Sequence, residues 1–287
     1  MATRPSAPPK SSKTDPMTLR IDLEEVLKAK SPKWYRRLPK FIIRWLKKTI
    51  HQDDMNDFLL YHSDDAPLDF ANNVVKMLGA HLEVTNEEMV PKTGRYIIVS
   101  NHPLGGLDGL CYISLLSRYR TDIKLPVNDL LMNVKPMHGI FIPINKHGNL
   151  DRNAVQELND TFASDDIIVY FPAGLCSRKQ KGGVIRDLEW KPTIITKAKQ
   201  YQRDIIPAYF EGKNSNFFYN LACFRKAIGI KFNIEMLYLV DEMYRQKGHT
   251  LRVTFGDPIS YKTFTDEKDN KEWAAWLKEQ TYSLNRK

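Results

Sequence analysis

Short apolar runs alternate with stretches of helical periodicity along most of this chain. Runs at 96–100, 140–144, 166–171 and 204–210 read as buried strands, and 232–240 and 251–255 as further strand-like segments. Between and after them, residues 110–119, 150–162, 190–200, 216–228 and 271–284 place apolar side chains at helical spacing. An earlier helix is expected over 69–80, with Phe70, Val74, Met77 and Leu78 on one face and Gly79 near its end. Strands alternating with helices predict an α/β fold, with a central mostly parallel or mixed sheet flanked by helices. At 287 residues the chain is long enough for one such domain and terminal additions.

The first third reads differently. Residues 1–17, rich in Pro, Ser, Lys and Thr, have no apolar periodicity and read as a disordered tail. A short helical pattern at 21–29 ends at Ser31-Pro32. From 34 to 50, apolar residues fall at 34, 35, 38, 41, 42, 45, 46 and 50, with Arg37, Lys40, Arg44, Lys47 and Lys48 between them. Pro39 separates a first turn from a helix starting near Lys40. The acidic stretch 51–67 is expected to be a connector. The expected organisation is thus a tail over 1–17, a basic amphipathic helical arm and connector over 18–66, and an α/β domain over 67–287.

Charge sharpens the reading of the arm. The formal net charge is +9, and residues 1–50 hold 13 Lys and Arg against 4 Asp and Glu, while the remainder holds 30 of each sign. A nucleic-acid-binding domain more often carries its basic surface on the folded body, so the neutral body argues against nucleic acid as a partner. A basic helix with an aromatic apolar face fits an anionic lipid surface, with Trp34, Arg37, Phe41, Arg44, Trp45 and Lys48 as the expected contact residues. The competing reading is an amphipathic helix covering a core, its lysines merely solvated.

Three cysteines, Cys111, Cys176 and Cys223, are too few and too scattered for a disulfide framework or a zinc site. His51, His62 and His81 lack ligand spacing, so no metal is expected. No apolar run is long enough to span a bilayer and no secretory h-region is apparent, which predicts a cytosolic protein or one lying on a membrane face.

The candidate chemistry gathers where strands end. Asn101-His102-Pro103-Leu104-Gly105-Gly106-Leu107-Asp108-Gly109 connects the strand at 96–100 to the following helix. A general base near neutral pH needs an accessible imidazole nitrogen and a partner that fixes the tautomer, and Asp108 is placed to be that partner for His102 across a glycine-rich loop. The plain alternative makes Asp108 a helix N-cap and His102 a loop histidine. With no Gly-X-Ser-X-Gly elbow and no cysteine in this loop, the nucleophile would belong to the substrate, as in group transfer. Two other strand exits carry polar groups, Asn145 with Lys146, and Ser177 with Arg178 after a turn at Gly174. A basic, glycine-containing loop follows at 179–186.

Asn-His-Pro-Leu-Gly-Gly-Leu-Asp-Gly, then Ile-Pro-Ile-Asn-Lys, Phe-Pro-Ala-Gly-Leu-Cys-Ser-Arg and Ile-Pro-Ala-Tyr-Phe-Glu-Gly, resemble in order the four sequence blocks of the glycerolipid acyltransferases, over about residues 70–260. The likeness is nearest to the hemolysin-like branch, which includes lyso-ornithine-lipid and lyso-glycine-lipid acyltransferases. It implies that His102 is the general base and Asp108 its orienting carboxylate. It further implies a lysolipid hydroxyl as acceptor and an acyl carrier protein or CoA thioester as co-substrate, with no bound cofactor. Asn145, Lys146, Gly174, Ser177 and Arg178 would shape the acceptor site. The expected setting is peripheral, at the cytoplasmic face of a membrane.

The blocks also depart from the family pattern. The first has one residue more between His and Asp, so its loop must bulge to keep the pair in contact. The second ends in Lys146 in place of Arg, and the third has Ala173 in place of Glu, with its Arg one position later. These departures favour a lyso-aminolipid acceptor. Lysophosphatidic acid, another lysophospholipid, or lipid binding without catalysis are the alternatives.

Overall fold

The computed structural model describes residues 21–30, 32–128, 131–144, 152–230 and 233–286. The tail expected over 1–17 lies outside them. The chain divides into two compact units, residues 1–63 and 64–287.

The described part of the first unit consists of four short helices, α1 (Leu23–Lys30), α2 (Pro32–Tyr35), α3 (Lys40–Thr49) and α4 (Gln52–His62). The segment expected to be a connector is therefore mostly helical, because its acidic residues at 53 and 54 sit in the first turn of α4, where the helix dipole favours them. Gln52 Oε1 accepts from Leu23 N at 2.9 Å, and Lys47 pairs with Glu24 at 2.6 Å, so α1 is tied to the helices that follow it. On α3, Ile43 is buried, whereas Phe41 and Trp45 are 69% and 49% exposed and share an outward face with Arg44 and Lys48.

The second unit opens with α5 (Pro67–Met77) and is built on a seven-stranded sheet. Its strands are β1 (His81–Thr85), β2 (Tyr96–Ser100), β3 (Ile123–Asn128), β4 (Phe141–Ile144), β5 (Ile167–Tyr170), β8 (Asp204–Glu211) and β9 (Thr250–Phe255), in the order β1-β9-β8-β2-β5-β3-β4. The five strands from β8 to β4 run parallel, and β9 joins β8 antiparallel and carries β1. A short hairpin, β6 (Arg178–Lys179) with β7 (Ile185–Arg186), stands apart from the sheet. The helices of this unit are α5, α6 (Gly106–Leu116), α7 (Arg152–Ala163), α8 (Thr193–Tyr201), α9 (Asn216–Ala227), α10 (Leu239–Tyr244) and α11 (Asn270–Ser283). The expected α/β class with a mostly parallel, mixed sheet is the observed one.

The central strands β2 and β5 are almost fully buried, as their unbroken Ile and Val runs require of a parallel sheet covered on both faces. Ile97, Val99, Ile168 and Ile205 pack with Trp190, Ile194, Phe264, Trp273 and Leu277 on one side of the sheet. On the other, α6 lies so close to β3 that a Cβ on Gly109 would come within 2.9 Å of Leu125. Two local expectations fail. The segment read as strand-like over 232–240 is, in its described part, a 3₁₀ turn at Ile234–Tyr238 running into α10, and α6 begins at Gly106, earlier than the periodicity alone suggested.

Candidate active site

Strand β2 lies between β8 and β5, and all three run the same way, so the loops leaving their C-terminal ends are neighbours. This is the edge at which open α/β sheets place their ligands. The three loops are also bonded to one another. Asn101 donates Nδ2 to the Phe210 carbonyl at 2.9 Å and accepts Phe210 N at 2.7 Å, a two-way lock between the exits of β2 and β8. Ser177 N donates to the His102 carbonyl at 2.7 Å, joining the exit of β5 to the same loop.

Within this frame His102 Nδ1 lies 3.2 Å from Asp108 Oδ2, and Leu104 N donates to that same oxygen at 3.1 Å. The longer loop keeps the pair in contact. The turn into the helix is made at Gly105, whose φ of 80° and ψ of −128° are open only to glycine. Asp108 is consequently not the N-cap but the third residue of the helix, reaching back over the first turn. It accepts a backbone N–H from the loop and orients the imidazole through one oxygen, so the N-cap alternative does not hold. Asp108 is fully buried, and the His102 side chain retains 18% exposure. The ring stacks on Phe171 with centroids 4.2 Å apart, which fixes its plane. An imidazole held at Nδ1 by a carboxylate has Nε2 left for proton transfer.

A second carboxylate, Asp187, supports the loop. Its Oδ1 accepts His102 N at 3.2 Å and Ser177 Oγ at 2.6 Å, and its Oδ2 accepts Trp190 Nε1 at 2.9 Å. Tyr282 and Lys278 of α11 hold its backbone N–H and carbonyl. Burial raises its pKa against the lowering effect of these donors. The sequence offered a signal that was not used, since Asp187 is the first acidic residue after a stretch, 167–186, that has none. Asn101, Phe171 and Glu235 were missed for a simpler reason: their partners come from elsewhere in the chain.

The remaining expected residues separate into three groups. Gly174 sits in a tight turn at φ 65°, and Ser177, 3% exposed, is engaged by Asp187. Asn145 and Lys146 lie outside the described residues. Arg178 departs from its expected role as a headgroup ligand. It is 3% exposed, with Nη2 3.3 Å from Glu235 Oε1 and Nη1 donating to the Cys176 carbonyl and thiol. Glu235 also holds Arg225, at 2.8 Å, so this charge is spent inside the fold. Burial pushes the Cys176 thiol up to about 11, which keeps it protonated and unsuited to attack. Among the described residues no group of three or more His, Cys, Asp or Glu is arranged to hold a metal ion, and no helix is long and apolar enough to cross a membrane.

Comparison with known proteins adds to this geometry. A family profile described as acyltransferase matches residues 25–287. The lyso-glycine lipid O-acyltransferase of Bacteroides thetaiotaomicron is 47% identical over 272 residues, covering 94% of this chain and 100% of the relative. A protein of the same name from Phocaeicola vulgatus is 44% identical over 272 residues, covering 94% of this chain and 97% of the relative. The structure of the 1-acyl-sn-glycerophosphate (LPA) acyltransferase PlsC from Thermotoga maritima is similar at a TM-score of 0.47 and 14% identity, over 86% of this chain and 98% of that one.

Proposed function

Since the chain belongs to the acyltransferase family and is an acyltransferase, we propose that it moves a fatty acyl group from an acyl thioester to the hydroxyl of a lyso-aminolipid, with His102 as base and Asp108 as its orienting carboxylate. The observation that carries this reading is the 3.2 Å contact between His102 Nδ1 and Asp108 Oδ2 at the exit of the central strand. The relatives' name supports this acceptor class. Glycine offers only an amine and a carboxyl, so an O-acyltransferase of a glycine lipid must acylate a hydroxyl on the lipid part.

In the proposed reaction His102 Nε2 takes the proton of that hydroxyl as its oxygen bonds to the thioester carbonyl carbon. The imidazolium forms beside the buried Asp108 carboxylate. The tetrahedral oxyanion draws on backbone N–H groups at the glycine-rich start of α6, where the helix dipole is positive. Collapse breaks the C–S bond, and the leaving thiolate recovers the proton from His102. Acyl carrier protein or CoA serves as the thiol. Lys146 and Asn145 are the proposed partners of the headgroup carboxylate, with Ser177 and Gly174 shaping the wall and Arg178 supporting it from behind. The aromatic and basic face of α3, with Arg37 and Trp34 before it, meets the membrane, at its cytoplasmic side.

The test is thiol release from acyl carrier protein and CoA thioesters with a panel of lysolipids, products being identified by mass. Transfer to a lyso-aminolipid by the wild type and its loss in folded His102→Ala is the expected result. Undiminished transfer by His102→Ala would remove the base from the scheme, and transfer confined to lysophospholipids would replace the acceptor.

A further inference from the structure

Helix α9 follows directly on the loop that leaves β8, and it is apolar on two faces, the more exposed one beginning at Phe217, whose ring meets Tyr238 edge-on at 4.9 Å. Phe218, Tyr219 and Ala222 are buried, and Phe218 and Tyr219 pack with Cys176. The other face is open. Phe217 is 52% exposed, Phe224 60% and Ile228 52%, with the half-buried Leu221 between them. The spacing 217, 221, 224 and 228 keeps them in one ridge about 17 Å long. Ile230, just past the helix, and Val184, at the tip of the β6–β7 hairpin, add to the exposed apolar surface. An apolar ridge of this kind on a folded unit marks a contact surface.

The surroundings indicate the partner. No Asp or Glu occurs from 212 to 234 or from 167 to 186, while Lys179, Lys181 and Lys213 are exposed in these two stretches. Lys179 Nζ bonds Asn220 Oδ1 at 3.3 Å, so hairpin and helix form one surface. That surface adjoins the active site along the chain, because the hairpin begins at Arg178, next to Ser177, whose N is bonded to the His102 carbonyl. An aromatic and aliphatic ridge bordered by lysines and free of acidic residues is complementary to a leaflet containing anionic lipid.

We infer that the ridge Phe217–Leu221–Phe224–Ile228, with Lys179, Lys181 and Lys213, is a docking face by which the catalytic unit seats itself on an anionic bilayer and takes its acceptor from it. This rests on the lysolipid reading above and adds a contact separate from the one proposed for α3. Docking beside the β5 and β8 exits brings the bilayer surface to the loops that hold His102, so the acceptor need not cross water to reach the base.

The native Cys223 supplies a probe. It is exposed beside Phe224, whereas Cys111 and Cys176 are buried. Full-length protein carrying an environment-sensitive fluorophore on Cys223 is mixed with vesicles of phosphatidylcholine, with and without phosphatidylglycerol. The expected result is a rise in emission of at least twofold on the anionic vesicles. In parallel, unlabelled Phe217→Ser/Phe224→Ser/Ile228→Ser should lose at least tenfold in turnover of vesicle-borne acceptor, and stay within about twofold of wild type on acceptor dispersed as monomers. Protein that sediments with vesicles while the label stays dark binds through another surface and overturns the inference, as does vesicle turnover unchanged in the triple variant. A label that responds to acyl carrier protein and not to vesicles overturns it too, giving the face to a protein. Wild type inactive on both forms of acceptor would instead refute the lysolipid reading, and the label would still report the docking face.

Discussion

Replacing Asp108 by Asn separates the charge of the dyad from its geometry. Two donors, His102 Nδ1–H and Leu104 N–H, converge on Oδ2, whereas Oδ1 is buried without a partner. An Asn side chain therefore has one sensible orientation, its oxygen where Oδ2 was and its NH2 at the unpartnered position. The hydrogen bonds survive and the negative charge does not. At an effective dielectric of about 20, unit charges separated by the observed 3.2 Å interact by about 5 kcal/mol. Allowing for solvent at the partly exposed imidazole, about 3–4 kcal/mol of imidazolium stabilisation is lost in the transition state. That corresponds to roughly 200- to 1000-fold in kcat/KM. The assay is initial-rate thiol release under subsaturating acceptor, with urea unfolding run alongside. Asp108→Asn leaves its NH2 at the unpartnered Oδ1 position and should lose no more than about 1–3 kcal/mol of stability. Asp108→Ala should also lose about 1–3 kcal/mol of stability, because it strands the Leu104 N–H in a buried site. An Asp108→Asn enzyme retaining more than a tenth of wild-type kcat/KM would refute the dyad.

Two further outcomes concern the carboxylates around the site. Glu235→Gln leaves Arg178 and Arg225, with side chains only 4% and 6% exposed, sharing a neutral amide, and should cost about 3–5 kcal/mol in urea unfolding; a loss under about 1 kcal/mol would show that the buried triad is not a structural tie. Asp187 has its folded pKa raised, chiefly by burial, so the folded state holds its proton more tightly than the unfolded chain. Its contribution to stability is full below the ordinary carboxylate value and is lost as pH rises through the raised one. Wild type should therefore lose stability relative to Asp187→Asn across that window, and a difference flat with pH, measured by urea unfolding at a series of pH values, would contradict the assignment.

The strands at the heart of the sheet were legible because burial on both faces leaves little choice but Ile and Val, as at 97–99 and 167–169. The His102 loop was legible because its residue types carry chemistry. What escaped reading depended on partners far along the chain. Asn101 is locked to Phe210 and Glu235 clamps Arg178 and Arg225, and neither spacing nor propensity announces such pairings. The strand-like reading of 232–240 failed for a different reason, since a short apolar run is shared by strand and helix, and here Glu235, with Glu242 just beyond, must turn inward to reach Arg225 and Ser215. The burial of Arg178 was not legible because a cation at a strand exit looks free until its buried counter-charge, Glu235, is found.

The one-residue excess in the first loop shows how the fold reconciles these demands. A longer connection between His102 and Asp108 would ordinarily cost alignment, yet the carboxylate stays on the imidazole because Asp108 is fixed by the helix and not by the loop. Gly105 takes a conformation closed to other residues, and Leu239 fills the space that a Cβ there would occupy, at 3.0 Å. The segment that supplies Leu239 also supplies Glu235, which anchors Arg178 beside Ser177, and Ser177 in turn bonds the His102 backbone. The His102 loop, Arg178 and the segment 235–239 are thus packed as one unit: a side chain at position 105 would meet Leu239, and moving Leu239 would disturb the neighbouring Glu235 that holds Arg178.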